Sequence, residues 1–262
     1  MKEERYVVRL GDIPFSKQFV RSLKLHGIII SRRSEFGRSA IMINHGNHNP
    51  IKIKPNVREF ILINKPEAIR YCSNKRRNFE ILKEFYPETY DRIGDVKSFP
   101  VVVKPLHGHH GLGIKKIESK KELEQYARTH DMSNHLIQKY VKMKFEYRFN
   151  ILDKEIFQIS KKELIEGFCK GGFEFAFKSL GDKAQLSPKF YNFVKDVIDT
   201  FHKRIGYDLG SYCVDVMKGT DGKYYLSELN SGYGIGQFTI EKLVKLLNKK
   251  YRKGDLNKYR VR

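Results

Sequence analysis

The chain has 262 residues, of which 40% are hydrophobic and 13% aromatic, and it carries a formal net charge of +21. Its length suits one large α/β domain or two smaller ones, and its apolar content excludes global disorder. The charge predicts attraction to polyanions such as nucleic acid, an acidic protein tail or nucleotide phosphates. The three cysteines are scattered and no apolar run is long enough to span a membrane, so we expect a soluble, cytoplasmic protein in a reducing compartment.

The N-terminal part of the chain alternates strand and helix patterns. Apolar runs over residues 6–10, 27–30, 40–44 and 60–63 predict buried strands, and residues 16–26 predict a short helix after the first of them. Polar loops with glycine and proline separate these runs. The order predicts a small α/β domain at the start of the chain.

The next stretch changes from helices to a strand with a glycine-rich loop. Helical patterns cover residues 66–71 and 78–85, and residues 100–105 predict a short buried strand. A glycine-rich loop follows, and Ser119 with Glu122 forms a capping box for the next helix. We therefore expect a strand–loop–helix unit here.

The C-terminal half mixes antiparallel strands with long helices. The predicted elements are a strand over 136–141, a hairpin over 146–160 that turns at Asp153-Lys154, a helix over 188–205 and a helix over 238–247. The antiparallel pieces exclude a plain doubly wound dinucleotide fold, so the class is α/β (α+β). Basic residues dominate after Asn248 and predict a flexible end.

One hairpin near the C-terminus brings acidic side chains together. Two runs rich in Val, Tyr and Leu flank Asp221-Gly222, which is a strong two-residue turn signal. With these two residues as the loop, Asp215 stands opposite Glu228, and Asn230 lies further along the same face. A hard divalent cation between the two acids would explain their pairing, and a solvated hairpin with its acids in water is the alternative. These residues alone leave both interpretations open.

Lys104 ends the strand predicted at 100–105 and stands before the glycine-rich loop. A lysine charge and a loop whose backbone N–H groups can approach phosphate are one way to hold a triphosphate. The spacing excludes a P-loop and a Rossmann fingerprint. On its own, the loop fits a simple glycine turn better than a phosphate site.

Histidines occur in two loops. His107, His109 and His110 are too close together on one loop to favour a metal site, and solvent exposure or contact with phosphate is the better interpretation. His45 and His48 are also interpreted as loop residues, although a loop after a buried strand suits substrate contact.

Taken together, these features resemble the ATP-grasp superfamily, in the branch that contains glutathione synthetase and the protein α-L-glutamate ligases. The resemblance covers the chain from about Asn64 to Phe238, and it rests on the order and spacing of short motifs. The motifs are Ser73-Asn-Lys75, Val101-Val-Val-Lys104-Pro with its glycine loop, Ile137-Gln-Lys-Tyr-Val141, Glu146-Tyr-Arg148, Val214-Asp215-Val and Ser227-Glu228-Leu-Asn230-Ser-Gly232.

The resemblance implies an ATP-grasp fold in which two α+β subdomains clasp ATP. A Rossmann-like lead domain would cover residues 1–68, and the ATP-grasp domain would cover residues 69–248. Within it, the glycine-loop subdomain would span about 95–140 and the magnesium-binding subdomain about 141–248. Residues 249–262 would form a basic tail.

The resemblance also implies a set of nucleotide contacts. Two lysines and three loop glycines would contact the phosphates, a hinge segment would hold adenine, and one acid would bind the ribose. In this order the residues are Lys75 and Lys104; Gly108, Gly111 and Gly113; Gln138, Lys139, Tyr140 and Val141; and Glu146. The hinge carries Gln138 at a position where Glu is also common in the family.

Catalytic and metal-binding roles follow from the same resemblance. Arg148 matches an arginine for the acyl phosphate or substrate, and Lys161, or its neighbour Lys162, matches a basic position near the γ-phosphate. The implied magnesium ligands are Asp215, Glu228 and Asn230, and Ser231 with Gly232 would open a loop beside the acceptor. Residues 166–172 lack the Arg-x-Asn of the glutamate ligases, so acceptor recognition departs from that pattern.

The implied function is that of an ATP- and Mg²⁺-dependent, or Mn²⁺-dependent, carboxylate–amine ligase that forms an amide or peptide bond through an acyl phosphate and releases ADP. Its substrates would be a small-molecule carboxylate and an amine, such as an amino acid joined to a peptide, protein or nucleic-acid acceptor. Two alternatives stay open: an ATP-grasp phosphotransferase that acts as a kinase, and a non-catalytic nucleic-acid-binding protein for which the +21 charge is the main feature.

Overall fold

The computed structural model describes residues 6–10, 28–31, 35–36, 40–47, 49–55, 57–107, 113–164, 175–179, 186–206, 209–232 and 237–261. Within these ranges the chain forms one four-stranded parallel sheet, one four-stranded antiparallel sheet and one five-stranded antiparallel sheet. The helix predicted at 16–26 lies outside the described residues. No helix among the described residues is long and apolar enough to cross a membrane.

The N-terminal strands form the parallel sheet that the apolar runs predict. The strands are β1 (Tyr6–Leu10), β2 (Ile28–Ser31), β3 (Glu35–Phe36), β4 (Ala40–His45), β5 (Lys52–Ile53) and β6 (Phe60–Ile63). The sheet order is β2-β1-β4-β6, and β3 pairs with β5 as a separate ribbon. The side chains of β6 are all buried, which is why its sequence is a continuous apolar run rather than an alternating one.

A second unit follows, with two helices leading into an antiparallel sheet. Its elements are α1 (Pro66–Cys72), α2 (Lys75–Leu82), β7 (Thr89–Tyr90), β8 (Val101–Pro105), β9 (Lys115–Ile117), α3 (Lys120–Thr129) and β10 (His135–Lys139). The sheet order is β7-β10-β8-β9. Ser119 caps α3 by accepting the Glu122 N–H at 3.3 Å, while the Glu122 carboxylate accepts the Glu118 N–H at 2.8 Å. The predicted strand–loop–helix unit is therefore confirmed outside the loop itself.

The five-stranded sheet is the largest in the described part of the chain. It is built from β11 (Met143–Leu152), β12 (Glu155–Leu164), β13 (Phe175–Ser179), β14 (Ser211–Gly219) and β15 (Tyr224–Asn230), in the order β13-β12-β11-β14-β15. Helix α4 (Pro188–Ile205) covers one face of this sheet, and Phe190 and Val197 are buried among the apolar side chains of that face. The opposite face carries polar side chains, and at one end of it Leu152 and Cys213 lie in an apolar core shared with β4 and β6.

Both predicted hairpins form, and the first has the predicted turn. Asp153 and Lys154 have φ angles of 51° and 64°, as a type I′ turn between β11 and β12 requires.

The second hairpin has a different turn from the predicted one. The Gly219 N–H donates to the Lys223 carbonyl at 2.9 Å, so the loop contains Thr220, Asp221 and Gly222. Only Gly222 in this loop has a positive φ, of 81°, which is typical of a three-residue hairpin loop. The prediction of a two-residue Asp221-Gly222 loop is therefore wrong.

The predicted pairing of the acids is nevertheless confirmed. The longer loop displaces the register by one residue next to the turn, and a bulge at Ser227 displaces it back. Asp215 consequently stands opposite Glu228, and Cys213 stands opposite Asn230. The shift caused by the longer loop and the shift caused by the bulge therefore cancel, and the pairing of the acids is the one expected for a two-residue turn.

The C-terminal residues are packed rather than flexible. Helix α5 (Gln237–Lys253) continues past Asn248, and a short 3-10 helix covers Asp255–Tyr259. Leu256 and Tyr259 are buried in one core with Ile61 and Ile63 of β6. The prediction of a flexible basic end is wrong because these two apolar side chains anchor the basic segment.

Asn64 joins the N-terminal sheet to the five-stranded sheet. It is fully buried and has a φ of 68°, a conformation that Asn tolerates better than most residues. Its Oδ1 accepts the Gly210 and Ser211 N–H groups at 2.9 Å, and its Nδ2 donates to the carbonyls of Ser211 and Asn44. The end of β6 is thereby held against the start of β14.

Candidate active site

The polar face of the five-stranded sheet carries the candidate site. On β11, Tyr147 and Phe149 contact Phe190 of α4, with ring centroids 5.6 and 5.5 Å apart. Because successive side chains of a strand point to opposite faces, Arg148 and Asn150 point away from α4. We call this polar side of the sheet the site face.

Strand pairing arranges the site face into rows that cross four strands. The charged row consists of Ser160, Arg148, Asp215 and Glu228. The amide row, one step along the strands, consists of Gln158, Asn150, Cys213 and Asn230. On the other side of the charged row, Glu146 pairs with Lys162. The predicted acid, arginine and metal-ligand positions therefore share one surface.

Ion pairs link the charged row. Arg148 donates from Nε and Nη2 to the two carboxylate oxygens of Asp215, each at 2.7 Å, and Asp215 is 1% exposed. At the start of α2, the Nζ of Lys75 lies 3.4 Å from an oxygen of Glu228. Two directly opposed carboxylates would repel each other, and these cations offset that repulsion.

The structure places Lys162, and not Lys161, on the site face. The Nζ of Lys162 lies 2.8 Å from a carboxylate oxygen of Glu146. Lys161 pairs with Tyr147, whose side chain is on the α4 side of the sheet. Of the two lysines considered for the γ-phosphate position, the geometry therefore favours Lys162 and corrects the choice of Lys161.

Lys104 enters the same group of charges from β8. Burial lowers the pKa of its ammonium, the carboxylates of Glu228 and Glu146 raise it, and Lys162 and Lys75 lower it, with a net pKa below the ordinary lysine value. Groups from four different elements act on this one side chain. Lys104 is therefore close enough to Lys75, Lys162 and the two acids for their charges to act on it.

The hinge segment joins the antiparallel sheet to the five-stranded sheet. Its backbone is held by the protein, because the Lys139 N–H donates to Glu88 and the Tyr140 N–H donates to Pro100. The Gln138 side chain is 1% exposed and donates from Nε2 to Thr89 at 3.0 Å. Its Oε1 is buried without a hydrogen-bond partner among the described residues, and such an acceptor favours a ligand that donates.

Tyr140 and Val141 complete the hinge. The ring of Tyr140 lies beneath Lys116, whose Nζ is 4.4 Å from the ring centroid. A Cβ atom on Gly219 would stand 2.8 Å from the Val141 side chain, so the hinge packs closely against the end of β14.

The glycine-rich loop is described only at its ends. Gly113 has a φ of 75°, and a side chain there would meet Pro105 at 2.8 Å, so this position requires glycine. His107 is exposed. Gly108, Gly111, His109 and His110 lie outside the described residues, as does His48.

The N-terminal sheet contributes to the edge of the site. His45, at the end of β4, is 5% exposed, and its ring nitrogen would lie 3.4 Å from a Cβ atom on Gly232. Gly232 also accepts a weak hydrogen bond from the Cys213 thiol at 3.8 Å. The loop at Ser231 and Gly232 is therefore enclosed by His45 and the amide row.

Cys213 is a neutral member of the amide row. Burial raises the pKa of its thiol to about 12, with the charge of Arg148 opposing this rise. The thiol is therefore protonated at neutral pH, which excludes a thiolate nucleophile at this position. Among the described residues, no group of three or more His, Cys, Asp or Glu side chains could hold a metal ion. The candidate metal ligands are thus two carboxylates and an amide.

Asn150 and Gln158 are members of the site face that motif reasoning missed. The signal was present, because residues 146, 148 and 150 alternate on one strand and must share a face. The Glu146-Tyr-Arg148 motif ends before Asn150, so the motif alone does not include it.

Residues 75–246 match the protein-family model described as D-ala D-ala ligase C-terminus. The mixed sheets and helices have the fold of an ATP-grasp ligase, a class of enzyme that forms carbon–nitrogen bonds with release of ADP. Because the family match spans more than half of the chain, the chain belongs to the D-ala D-ala ligase C-terminus family of the ATP-grasp superfamily.

Solved structures share this fold. A D-alanine–D-alanine ligase from Bacillus anthracis is 16% identical with a TM-score of 0.61, and the alignment covers 96% of this chain and 99% of that one. An L-amino acid ligase from Bacillus licheniformis is 15% identical with a TM-score of 0.56 over 94% of this chain and 71% of that one. The ATP-grasp ligase PsnB, complexed with a minimal precursor, is 12% identical with a TM-score of 0.63 over 95% and 99%. No curated protein matches the sequence significantly.

Proposed function

We propose that this protein is an ATP- and Mg²⁺-dependent carboxylate–amine ligase that forms an amide bond through an acyl-phosphate intermediate. The observation that carries the proposal is the meeting of three lysines, one arginine and three acids at the site face, two of the lysines reaching it from outside the five-stranded sheet. They come from α2, β8 and four strands of the five-stranded sheet. A triphosphate and a carboxylate both need such a concentration of fixed cations.

The proposed nucleotide position follows from the groups around Lys104. Lys75, Lys104 and Lys162 would contact the phosphates, and Glu146 would accept from the ribose hydroxyls. Adenine would lie at the hinge of Gln138, Lys139, Tyr140 and Val141. The buried Oε1 of Gln138 supports this position because an exocyclic amino group would satisfy it. The glycine-rich loop with Gly108, Gly111 and Gly113 would cover the phosphates.

The residues present fit a hard divalent cation. Asp215, Glu228 and Asn230 offer oxygen atoms from neighbouring positions of β14 and β15, which is the donor chemistry that Mg²⁺ and Mn²⁺ take. Asp215 is buried and so held in a fixed position by its contact with Arg148. A bound ion would supply neutralisation of phosphate charge.

In the proposed reaction, an oxygen of the substrate carboxylate attacks the γ-phosphorus, and the bond to the β-phosphate oxygen breaks to release ADP. The amine nitrogen then attacks the acyl carbon, the carbon–oxygen bond to phosphate breaks, and the amine loses a proton. Arg148, beside Asp215 at the centre of the sheet, would orient the carboxylate and stabilise the charge that moves onto the transferred phosphoryl group.

The acceptor would bind at the edge formed by His45, Ser231 and Gly232. This edge joins the N-terminal sheet to the site face, so a molecule bound there would lie next to Arg148 and the amide row. A small amine or the end of a peptide would fit this position. An anionic peptide, protein or nucleic-acid acceptor would also be attracted by the net charge of +21.

The test is ADP release from ATP and Mg²⁺ across a panel of amino acids and other carboxylates, each with and without amines, followed by mass spectrometry. We expect ADP and an amide in equal amounts. ADP with a phosphorylated acceptor and no amide would instead indicate a phosphotransferase. Salt-sensitive nucleic-acid binding without an ATP-dependent thermal shift would overturn the enzyme assignment.

Asp215→Asn and Glu228→Gln test the metal site. Each should lower the rate of ADP release at least about 100-fold, because removal of one charge-stabilising group typically costs that much. The fold should be unchanged by circular dichroism. Asp196→Asn, on the exposed side of α4, is the matched control and should keep the full rate. A normal rate in the double variant of Asp215 and Glu228 would contradict the proposed site.

A further inference from the structure

The amide row is a buried polar surface that the proposed nucleotide site does not use in full. Asn230 is assigned to the metal, which leaves Gln158, Asn150 and Cys213. These three side chains are at most 5% exposed. They lie one row from Arg148, and alternate residues of a strand are roughly 7 Å apart.

Asn150 has an acceptor that none of the described residues satisfies. Its Nδ2 donates to the Oε1 of Gln158 at 3.0 Å, which fixes the orientation of the amide. Its Oδ1 is buried without a hydrogen-bond partner among the described residues. Cys213 stands opposite Asn150 on the neighbouring strand, but its thiol donates a weak hydrogen bond to the Gly232 carbonyl instead. A buried polar atom of this kind costs about 1–3 kcal/mol unless it is paired, so a ligand donor would be favoured there.

The side chains of the amide row limit the kind of ligand group that can supply this hydrogen-bond donor. The remaining row consists of two amides and a cysteine, and it contains no carboxylate and no basic side chain. The row therefore selects by hydrogen bonding rather than by ion pairing. Because the amide row lies one row from Arg148, the donor must be close to the substrate group that Arg148 binds.

We propose that Asn150 determines specificity by accepting a hydrogen bond from an N–H or O–H group on the carboxylate substrate, with Gln158 as its positioning residue. The substrate class is a small carboxylic acid with an amino, amide or hydroxyl donor close to the carboxyl group. This inference rests on the proposed ligase function, since it assumes that Arg148 holds the carboxylate.

The experiment uses hydroxylamine as the amine, because it converts an acyl phosphate to a hydroxamate that is measured directly. The carboxylates are matched acids that differ by one donor: alanine, lactate and N-acetylglycine, compared with propionate and butyrate. We expect the wild-type protein to prefer acids with a donor by about tenfold in kcat/KM, and the three donor types separate amine, hydroxyl and amide.

Asn150→Leu should abolish this preference, mainly by raising KM for acids with a donor, while the ATP-dependent thermal shift stays as in wild type. Asn150→Ser, which is smaller and keeps an acceptor, should retain part of the preference and serves as a second variant if the leucine variant does not fold. Asn192→Leu, on the exposed surface of α4, is the matched control and should change nothing.

The role of Gln158 is tested by rescue. Gln158→Leu should reduce the preference as Asn150→Leu does, and Gln158→Glu, which keeps an oxygen to accept from Asn150, should restore most of it. An unchanged preference in a folded, ATP-binding Asn150→Leu protein would overturn the inference and leave the ligase function standing. Absence of hydroxamate with every acid in the wild-type protein would instead overturn the proposed function, and the inference with it.

Discussion

At residue scale, two neighbouring lysines separate because strand side chains alternate. Lys162 shares the site face with Glu146, while Lys161 pairs with Tyr147 on the side covered by α4. An alignment to the family motif does not distinguish the two lysines, because a displacement of one residue gives an equally good match. In a strand, however, one residue decides which face a charge occupies.

Substitution of these two lysines tests the assignment directly. Lys162→Ala should reduce ADP release about 100-fold, since it removes a cation from the proposed phosphate position and leaves Glu146 without this ion pair. Lys161→Ala is the matched control on the next residue, and its rate should stay within about threefold of wild type. Steady-state kinetics with varied ATP would measure both. A larger loss with Lys161→Ala would place the phosphates on the other face of the sheet.

At element scale, Asn64 shows how a single side chain positions one sheet against another. Its side-chain amide accepts hydrogen bonds from the backbone at the start of β14, which is the strand that carries Cys213 and Asp215. Without this side chain, backbone groups at Gly210 and Ser211 would lose their partners in a buried place. Asn64 thus links the N-terminal sheet to β14, the strand that contributes Asp215 to the charged row.

Two substitutions at this position separate the hydrogen bonds from the backbone conformation. Asn64→Gly should lower the free energy of unfolding by about 3 kcal/mol, because several buried backbone groups lose their partners. Asn64→Ala should cost about 1 kcal/mol more, because its φ of 68° is unfavourable for a residue with a Cβ atom. Urea unfolding measures both values. Equal stability of the two variants would contradict the backbone contribution.

At the scale of the whole molecule, Asp153 fastens the C-terminal segment to the β11–β12 turn. It forms ion pairs with Lys250 of α5 at 3.1 Å and with Lys258, and it accepts a hydrogen bond from the Tyr259 hydroxyl at 3.1 Å. Burial raises the pKa of Asp153, but the two lysines lower it more, so the net pKa is below the ordinary value. The basic end is therefore part of the folded core.

Asp153→Asn keeps the size of the side chain and the left-handed turn but removes the charge. It should lower the free energy of unfolding by about 2 kcal/mol near neutral pH, where the wild-type carboxylate is ionised. Because the folded pKa is lowered, this contribution is complete above the unfolded pKa of about 3.9 and is lost as the pH falls through the folded value. Thermal unfolding at several pH values should show the two proteins converge in acid. A difference independent of pH would exclude the ion pairs as its cause.

Most of the secondary structure followed from local pattern. The helix over Pro188–Ile205 begins at a Ser-Pro cap and ends at Gly206, and both signals lie within a few residues of the ends they define. The strands of the N-terminal sheet followed from apolar runs in the same way. The three-residue loop at Thr220–Gly222 did not, because the bulge that compensates for it depends on pairing with another strand.

The sequence alone determined most of the lysines and acids of the candidate site, because they occur in motifs whose order is readable along the chain, whereas Asn150 and Gln158 lie outside those motifs. Only the tertiary structure decided which of them share a surface. Lys162 rather than Lys161, the amide row beside Arg148, and the packed end at Leu256 all depend on register and on contacts between residues far apart in the chain. A local pattern shows which side chains of a strand alternate. The neighbouring strand and the register of the pairing are set by packing of the whole molecule.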